Sequence, residues 1–313
     1  MLQKYLLLWL VLSSLLAGVW PNLFGTDVID PFVFSKDWLG WIVAIVMFCV
    51  GTLLPVEEVK LVLRRWPLIL GGTAFQYASM PFLAWFVATS LGFEGDLLVG
   101  MIMVGCVPGA MASNVLTMVA NGNVSYSVGL TTSATLLSPI VVPIVLKLTL
   151  GETADAALLQ KTALLLVIQV VVPVISGFLI CRVSQAMAKS SKRVSSILAN
   201  LSILWIIAVV VALNRDNIKA LPMLLMLALL LINMGGYICG QLGGRIMRID
   251  SGMRRALMLE IGMQNAGVGA SLAKSLFPDH PQIALPCGLF AFGCMTTGTI
   301  LAEVFKRMPE KTD

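Results

Sequence analysis

Charged residues are scarce in this sequence of 313 residues. Asp, Glu, Lys and Arg make up 12% of the chain, hydrophobic residues make up 58%, and the mean hydropathy is +0.93. Soluble domains carry about 25% charged residues on average. The low charge therefore excludes an ordinary soluble protein and indicates a polytopic membrane protein.

Residues that hold transition metals or form disulfides are few or poorly spaced. The chain has one histidine, His280 in FPDHPQ, and six cysteines that lie in or at the ends of apolar runs without CxxC spacing. Zinc and copper sites need converging nitrogen and sulfur ligands. We interpret the cysteines as small packing residues and His280 as a solvated loop residue.

Long apolar runs are abundant, and we count ten of them, close to the ~20 residues with which an α-helix crosses a bilayer. We call them spans 1 to 10, and they cover residues 5–21, 39–54, 67–91, 97–119, 124–149, 160–181, 196–213, 220–243, 253–274 and 282–303. No convincing cleavage site follows span 1, so we expect a retained helix rather than a signal peptide. The loops leave no room for a soluble domain, which places the function within the membrane.

Basic residues are unequally divided between the two sides that ten alternating helices create. The side that holds both termini has 15 of the 21 Lys and Arg residues. Because basic loops tend to stay in the cytoplasm, we predict that both termini are cytoplasmic. The net charge of +5 then lies beside anionic lipids and gives no reason to expect nucleic acid as a partner.

The ten spans divide into two sets of five, residues 1–154 and 155–313. An odd number per set turns the second set upside down relative to the first, a common plan of secondary transporters. GAMASNVLTMVA (109–120) in span 4 and IGMQNAGVGASLA (261–273) in span 9 have similar small-residue patterns with Met and Asn. We therefore predict two inverted five-helix repeats.

Span 9 contains an acidic residue, Glu260, deep within an apolar run. The other acidic residues can be placed in loops, at helix ends or in the tail, and no Lys or Arg lies at comparable depth. A charge at the centre of a membrane helix costs roughly 2.5 to 3.5 kcal/mol, so it usually faces a cavity, an ion or a partner. Gln264 lies one turn after Glu260, and nearby glycines favour a broken helix.

Other spans supply more oxygen ligands. The candidates are Gln76 in span 3, Ser113 and Asn114 in span 4, and Ser127 and Thr131 in span 5. Pro108 and Gly109 interrupt span 4 because proline removes a backbone donor. Oxygen ligands suit a hard cation such as Na+. The structural alternatives stay open, because hydroxyls also join helices and Pro-Gly also makes simple kinks.

Two motifs now resemble a known family. GCVPGAMASNV with the downstream SVGLTTSATLLSP, and EIGMQNAGVGASLA, are similar to the bile acid:sodium symporter family, in particular to its bacterial members. The resemblance implies an all-α membrane protein with ten helices in two inverted repeats, with spans 4 and 9 broken and crossing. It also implies a panel of spans 1, 2, 6 and 7, a core of spans 3, 4, 5, 8, 9 and 10, and a bacterial inner membrane.

The resemblance further implies two sodium sites that share Glu260. Site 1 would use Ser113, Asn114, Ser127, Thr131 and Glu260, and site 2 would use Gln76, Glu260, Gln264 and the backbone at Ile261 and Met263. Two Na+, the Glu260 carboxylate and one monoanionic substrate sum to zero charge, so their binding should be mutually supportive. No organic cofactor is expected.

The implied substrate contacts are Asn265, Thr296 and Thr297, together with Met111 and Met295. The two methionines stand where the family resemblance leads us to expect polar residues. This departure leaves the anion open between a bile acid and a smaller carboxylate.

These features predict a sodium-coupled symporter of an organic anion that works by alternating access, and not an enzyme. The expected partners are the anion, Na+ and the lipid bilayer, with no obligatory protein partner. One alternative is a proton-coupled transporter or antiporter that uses Glu260. Another is an intramembrane hydrolase built on Ser113 or Glu260, which lacks an intramembrane base beside the nucleophile.

Overall fold

The structure, a computed structural model, describes residues 6–25, 27–55, 65–151, 154–183, 185–219 and 223–308. Within these residues the regular elements are helices only. They are α1 (Leu6–Phe24), α2 (Pro31–Phe34), α3 (Leu39–Leu53), α4 (Trp66–Ser90), α5 (Gly95–Cys106), α6 (Ala112–Val119), α7 (Val124–Leu150), α8 (Ala156–Leu166), α9 (Val172–Val183), α10 (Gln185–Leu213), α11 (Arg215–Lys219), α12 (Met223–Ile246), α13 (Ser251–Gly262), α14 (Ala266–Leu276) and α15 (Leu285–Arg307). A π-helical turn, Val167–Val171, joins α8 to α9.

The described residues of the ten predicted spans lie mainly on helices, with spans 4 and 9 each interrupted once, and some boundaries differ. Residue 5 of span 1 and residues 220–222 of span 8 lie outside the described residues. The helix of span 6 begins at Ala156 because the Asp155 side chain caps it, accepting a hydrogen bond from the Leu158 amide at 2.7 Å. The helix of span 7 begins at Gln185, before the predicted 196, because the charged stretch QAMAKSSKR consists largely of good helix formers. Both extensions are polar, so they do not belong to the apolar runs that predicted the spans.

The apolar length of the helices fits a multi-pass membrane protein. In the described part of the chain, seven helical segments are long and apolar enough to cross a bilayer. They are Leu6–Phe24, Pro31–Leu53, Val124–Leu150, Ala156–Arg182, Val194–Leu213, Met223–Ile246 and Pro281–Arg307. Spans 4 and 9 fall short because each is interrupted into two short helices. Span 3 forms one helix of 25 residues, which is long enough but less apolar than the seven. The count of ten crossings in two inverted repeats therefore stays a prediction.

One group of helices, α1, α3, α9 and α10, packs together and is called the first bundle here. Two glycines bring α3 and α9 into backbone contact, because a Cβ on Gly51 would overlap the Val174 carbonyl and a Cβ on Gly177 would overlap the Phe48 carbonyl. Such small residues let membrane helices approach closely. The first bundle is thus held by short backbone contacts.

A partly buried arginine closes one end of the first bundle. Pro21 in α1 lacks the amide that would bond the Ala17 carbonyl. Arg215 of α11 supplies the donor instead, with Nε 2.8 Å from the Ala17 oxygen, and it also forms an ion pair with Asp30. The Asp30 carboxylate in turn caps α2 by accepting from the Phe32 amide at 2.9 Å. One side chain therefore ties α1, α2 and α11 together.

The remaining long helices form a second bundle of α4 to α7 and α12 to α15. Glycines again allow close approach, since a Cβ on Gly240 would lie 2.5 Å from the Met258 Cα and one on Gly105 would lie 2.6 Å from the Met80 carbonyl oxygen. The two bundles meet along α14 and α15, and α8, which continues through the π-helical turn into α9 of the first bundle, packs against α7. At one of these contacts Gly288 of α15 faces the Val210 side chain of α10.

Gly51→Ala tests the backbone contact inside the first bundle. The added Cβ overlaps the Val174 carbonyl, and overpacking of this kind costs typically about 1 to 3 kcal/mol. We expect a lower melting temperature in detergent. Gly18→Ala is the matched control, because its Cβ would meet only Val211 Cγ1 at 3.8 Å. Equal melting temperatures for the two variants would show that the contact is not needed.

Candidate functional site

The two interrupted helices cross at their breaks. The first break separates α5 from α6, and the second separates α13 from α14. Gly109 and Gln264 form an isolated antiparallel bridge, in which the Ala110 amide donates to the Met263 carbonyl at 2.8 Å and the Asn265 amide donates to the Pro108 carbonyl at 2.8 Å. Each break therefore satisfies backbone groups that the other exposes, as the membrane interior requires.

Glu260 lies in the last turn of α13 beside this crossing and is 0% exposed. Its carboxylate accepts hydrogen bonds from Ser113 Oγ at 2.5 Å and from Thr131 Oγ1, which lies 2.8 Å from each carboxylate oxygen. No ion pair involves Glu260 in the described part of the chain. A buried charge held only by neutral donors is a strong ligand for a cation.

Gly109 makes room for this carboxylate. A Cβ at position 109 would overlap Glu260 Oε1 and would lie 2.6 Å from Cδ. The glycine in the first break is thus a steric requirement of the acidic residue in the second helix. The sequence suggested only that Gly109 interrupts span 4.

The structure brings together all five residues of predicted site 1. Asn114 Oδ1 accepts from Ser127 Oγ at 2.7 Å and lies 3.2 Å from Thr131 Oγ1, so the amide and the hydroxyls continue the group around Glu260. Thr117, which the sequence reasoning missed, donates to Ser127 Oγ at 3.2 Å and is fully buried. Its spacing of four from Ser113, on one helical face, was the available signal.

The two glutamine side chains of predicted site 2 are buried, and their amide oxygens lack hydrogen-bond partners in the described structure. Gln76 and Gln264 are each 1% exposed. Gln264 Nε2 donates to the Ile261 carbonyl at 2.7 Å, whereas Gln264 Oε1 and both polar atoms of Gln76 have no hydrogen-bond partner in the described structure. A buried polar atom without a partner costs about 1 to 3 kcal/mol. These oxygens are therefore available to a ligand.

The predicted substrate residues fall in different surroundings. Asn265 caps α14, with Oδ1 accepting from the Val268 amide at 3.2 Å, and Met111 precedes α6 at the other break. Met295 is half-buried on α15, and Thr296 is exposed with its hydroxyl bonded to the Phe292 carbonyl at 2.8 Å. Thr297 instead donates to Asn233 Oδ1 at 2.6 Å. Asn233 was missed because a lone amide in an apolar run carries little signal.

A cleft opens beside the crossing, between the two bundles. Val50, Leu54 and Val174 line it from the first bundle, and Met111, Asn114, Thr131, Thr132 and Thr135 line it from the second. Its empty volume is about 260 Å³, including the part open to solvent. Two residues of predicted site 1, Asn114 and Thr131, therefore border the narrow cleft between the two bundles.

Comparison with known proteins gives one family. The model of the sodium bile acid symporter family matches residues 41–221. The chain is 30% identical over 306 residues to the uncharacterized sodium-dependent transporter YocS of Bacillus subtilis (strain 168), covering 97% of this chain and 91% of that protein. It is 28% identical over 306 residues to the probable sodium/metabolite cotransporter BASS1, chloroplastic, of Arabidopsis thaliana, covering 97% of this chain and 74% of that protein. It is 23% identical over 247 residues to sodium/bile acid cotransporter 4 of Homo sapiens, covering 77% of this chain and 56% of that protein.

Proposed function

The chain belongs to the sodium bile acid symporter family, and on that premise we propose that it couples Na+ entry to the symport of an organic anion. It is a multi-pass membrane transporter that uses sodium, and not an enzyme. The observation that carries the coupling proposal is Glu260, a fully buried carboxylate without an ion pair among the described residues, at the crossing of two broken helices.

We assign the first Na+ to Glu260 and the residues bonded around it, Ser113, Asn114, Ser127 and Thr131. Each contributes an oxygen, which is the ligand that hard cations prefer. Hydroxyl protons now point at the carboxylate and at Asn114 Oδ1. On ion binding the hydroxyls rotate and present lone pairs, so the network needs only a local rearrangement.

We assign the second Na+ to Gln76, Glu260, Gln264 and the carbonyls of Ile261 and Met263. The unpartnered oxygens of both glutamines support this assignment. The Ile261 carbonyl accepts from Gln264 Nε2, within the same proposed site. An ion there satisfies groups that otherwise stay desolvated without a partner.

The anion is proposed to bind at the crossing, beside the ions. The breaks place the beginnings of α6 and α14 there, and helix N-termini have unsatisfied amides and a positive end of the helix dipole. Met111 and Asn265 occupy these two N-terminal positions. Met295 and Thr296 are proposed to contact the anion from α15. With two Na+ and Glu260, a monoanion gives a neutral site, which explains mutual support in binding.

Transport is proposed to occur as one bundle moves against the other. The first bundle contains helices of the predicted panel, spans 1, 2, 6 and 7, and the second bundle contains helices of the predicted core. The short glycine contacts within each bundle support movement as units. The predicted topology places the cleft, which reaches Leu54 at the end of α3, on the cytoplasmic side. We propose an inner membrane location with cytoplasmic termini.

Polar contacts join the two bundles away from the cleft. Asn214 Nδ2 donates to the Pro281 carbonyl at 3.1 Å, and Gln282 Nε2 donates to Asn217 Oδ1 at 3.0 Å. An apolar cluster of Leu10, Leu204, Ile207, Ala266 and Ala291 also spans both bundles. Under the predicted topology the polar contacts lie on the outer side and the apolar cluster lies near the middle of the membrane, so they separate the crossing from the outside while the cleft is open inside.

A cross-link across the outer contact should stop transport. In the double variant Asn217→Cys/Gln282→Cys, a short bis-methanethiosulfonate reagent would join the two new thiols and so fix the two bundles together. We expect Na+-driven anion uptake to fall at least tenfold, and a factor of ten corresponds to about 1.4 kcal/mol. Dithiothreitol should restore uptake by cleaving the cross-link. Asp96→Cys/His280→Cys is the matched control, because those side chains form a surface contact of 3.1 Å inside the second bundle. Full activity in the cross-linked outer pair would contradict the proposed motion.

Uptake into proteoliposomes tests the function itself. Labelled cholate represents the bile acids, and labelled lactate represents the smaller carboxylates. Each anion is offered under three conditions, which are an inward Na+ gradient, a pH gradient with equal K+ concentrations on the two sides, and neither gradient. The proposal expects uptake of at least one probe with Na+ alone. Uptake that follows the pH gradient without Na+ would favour the proton-coupled alternative.

A further inference from the structure

A chain of hydrogen bonds links α12 and α15 to the break after α13. Tyr237 OH lies 3.0 Å from Thr297 Oγ1, Thr297 donates to Asn233 Oδ1 at 2.6 Å, and Asn233 Nδ2 donates to the Gly262 carbonyl at 2.7 Å. Asn233 is 1% exposed. None of these side chains except Thr297 was assigned a role by the sequence, and Thr297 was expected to face the substrate.

The Gly262 carbonyl is one of the backbone groups that the break exposes. Its neighbours are satisfied within the crossing, because the Ile261 carbonyl accepts from Gln264 Nε2 and the Met263 carbonyl accepts from the Ala110 amide. Gly262 instead takes its donor from Asn233, on another helix. The Met263 amide donates to the Leu259 carbonyl at 3.0 Å. The peptide unit between Gly262 and Met263 is therefore held at both ends.

This peptide unit lies between the two carbonyls proposed as sodium ligands. Fixing its plane constrains ψ of Gly262 and φ of Met263, which set the directions of the Ile261 and Met263 carbonyls on either side. Because Gly262 has no Cβ, its own ψ is free unless a neighbouring group holds it. The Asn233 amide is the group that does so here.

Thr297 determines which way the Asn233 amide points. The Gly262 carbonyl can only accept, so it needs the amide nitrogen, and the amide oxygen must then find a donor elsewhere. The Thr297 hydroxyl is that donor. With Tyr237 donating to Thr297, every group in the chain has a partner, and the bonds reinforce one another in a medium of low dielectric.

The backbone of α12 is shaped for this contact. A Cβ on Gly236 would lie 2.9 Å from the Gly262 Cα, and a Cβ on Gly262 would overlap the Tyr237 ring. Asn233, Gly236 and Tyr237 follow the i, i+3, i+4 spacing of one helical face. The short side-chain amide reaches the break only because the two helices approach this closely.

We propose that Asn233, oriented by Thr297, is a positioning residue that fixes the backbone of sodium site 2. The inference rests on the proposed function, since it concerns the same site. Asn233 does not bind the ion. It presets the carbonyls that do, and Thr297 links that geometry to α15, where Met295 and Thr296 are the proposed substrate contacts.

Na+ titration of purified protein tests the proposal, with the melting temperature recorded against Na+ at constant ionic strength. Thr297→Val removes the hydroxyl at nearly constant volume, and Asn233→Leu removes the amide. Loss of a group that orients metal ligands typically lowers affinity 10- to 100-fold, so each variant should raise the half-maximal Na+ concentration roughly tenfold. Thr297→Ser keeps the hydroxyl and should restore the wild-type value. The half-maximal Na+ concentration of the double variant should be no higher than that of either single variant, because both substitutions break the same chain of hydrogen bonds.

Thr52→Val is the matched control, since Thr52 Oγ1 also contacts a buried hydroxyl on another helix, Ser195 Oγ at 2.8 Å, but within the first bundle. It should lower only the melting temperature in Na+-free buffer. An unchanged half-maximal Na+ concentration in both Thr297→Val and Asn233→Leu would overturn the proposal. Loss of the Na+ response in Glu260→Gln alone, with these variants normal, would leave the proposed function intact and reject only the role of Asn233.

Discussion

Glu260→Gln is expected to abolish both the stabilisation by Na+ and the Na+-driven uptake of the anion. Glutamine keeps the size and accepts the hydrogen bond from Ser113, but it removes the charge that both proposed ions share. A ligand at a hundred times its Kd stabilises the folded state by about 2.7 kcal/mol, so the variant should lose a melting-temperature shift of several degrees.

The same substitution should not lower stability in Na+-free buffer. Without an ion, wild-type Glu260 is a buried carboxyl group with no ion pair in the described structure, and burying such a group costs stability. We therefore expect the Na+-free melting temperature of Glu260→Gln to equal or exceed that of wild type. Glu303→Gln is the control, because Glu303 is half-exposed and pairs with Lys306 on the same helix. An unaltered Na+ response in Glu260→Gln would reject both ion sites.

Gly109→Ala should inactivate the transporter although it adds one methyl group. The Cβ would overlap Glu260 Oε1, so either the carboxylate or the crossing backbone must move. Moving the backbone breaks the 2.8 Å bond from the Ala110 amide to the Met263 carbonyl, and a shift of about 1 Å at such a site can cost 10²-fold in rate. We expect uptake to fall by at least that factor and the Na+ response to disappear.

Gly293→Ala provides the comparison for this effect. Gly293 lies in α15, and a Cβ there would meet no atom within 4 Å. Alanine is also the better helix former by roughly 1 kcal/mol, so stability should be equal or higher and uptake unchanged. Wild-type uptake in Gly109→Ala would show that the carboxylate does not need the space that the glycine leaves.

Local patterns in the sequence predicted much of the fold. Apolar length located the helices, and Pro108 with Gly109 indicated the first break, because proline and glycine act on the backbone at their own positions. Charge against apolar surroundings was enough to single out Glu260. The extension of α10 to Gln185 was missed because a helix that leaves the membrane no longer needs to be apolar.

The partnerships between distant residues could not be predicted in this way. The bond from Asn233 to Gly262 joins residues 29 positions apart, and that from Arg215 to Ala17 joins residues 198 apart. A single polar residue on each side has no period or spacing that indicates the other. Thr297 was assigned to the substrate for the same reason, because its position on α15 was predictable and its partner was not.

Equilibrium binding of Na+ to the purified protein tests the central claim most directly. Gln76 belongs only to site 2, Ser127 belongs only to site 1, and Glu260 belongs to both. The account predicts two ions for wild type, one each for Gln76→Leu and Ser127→Ala, and none for Glu260→Gln. Two ions bound to Glu260→Gln with wild-type affinity would contradict it.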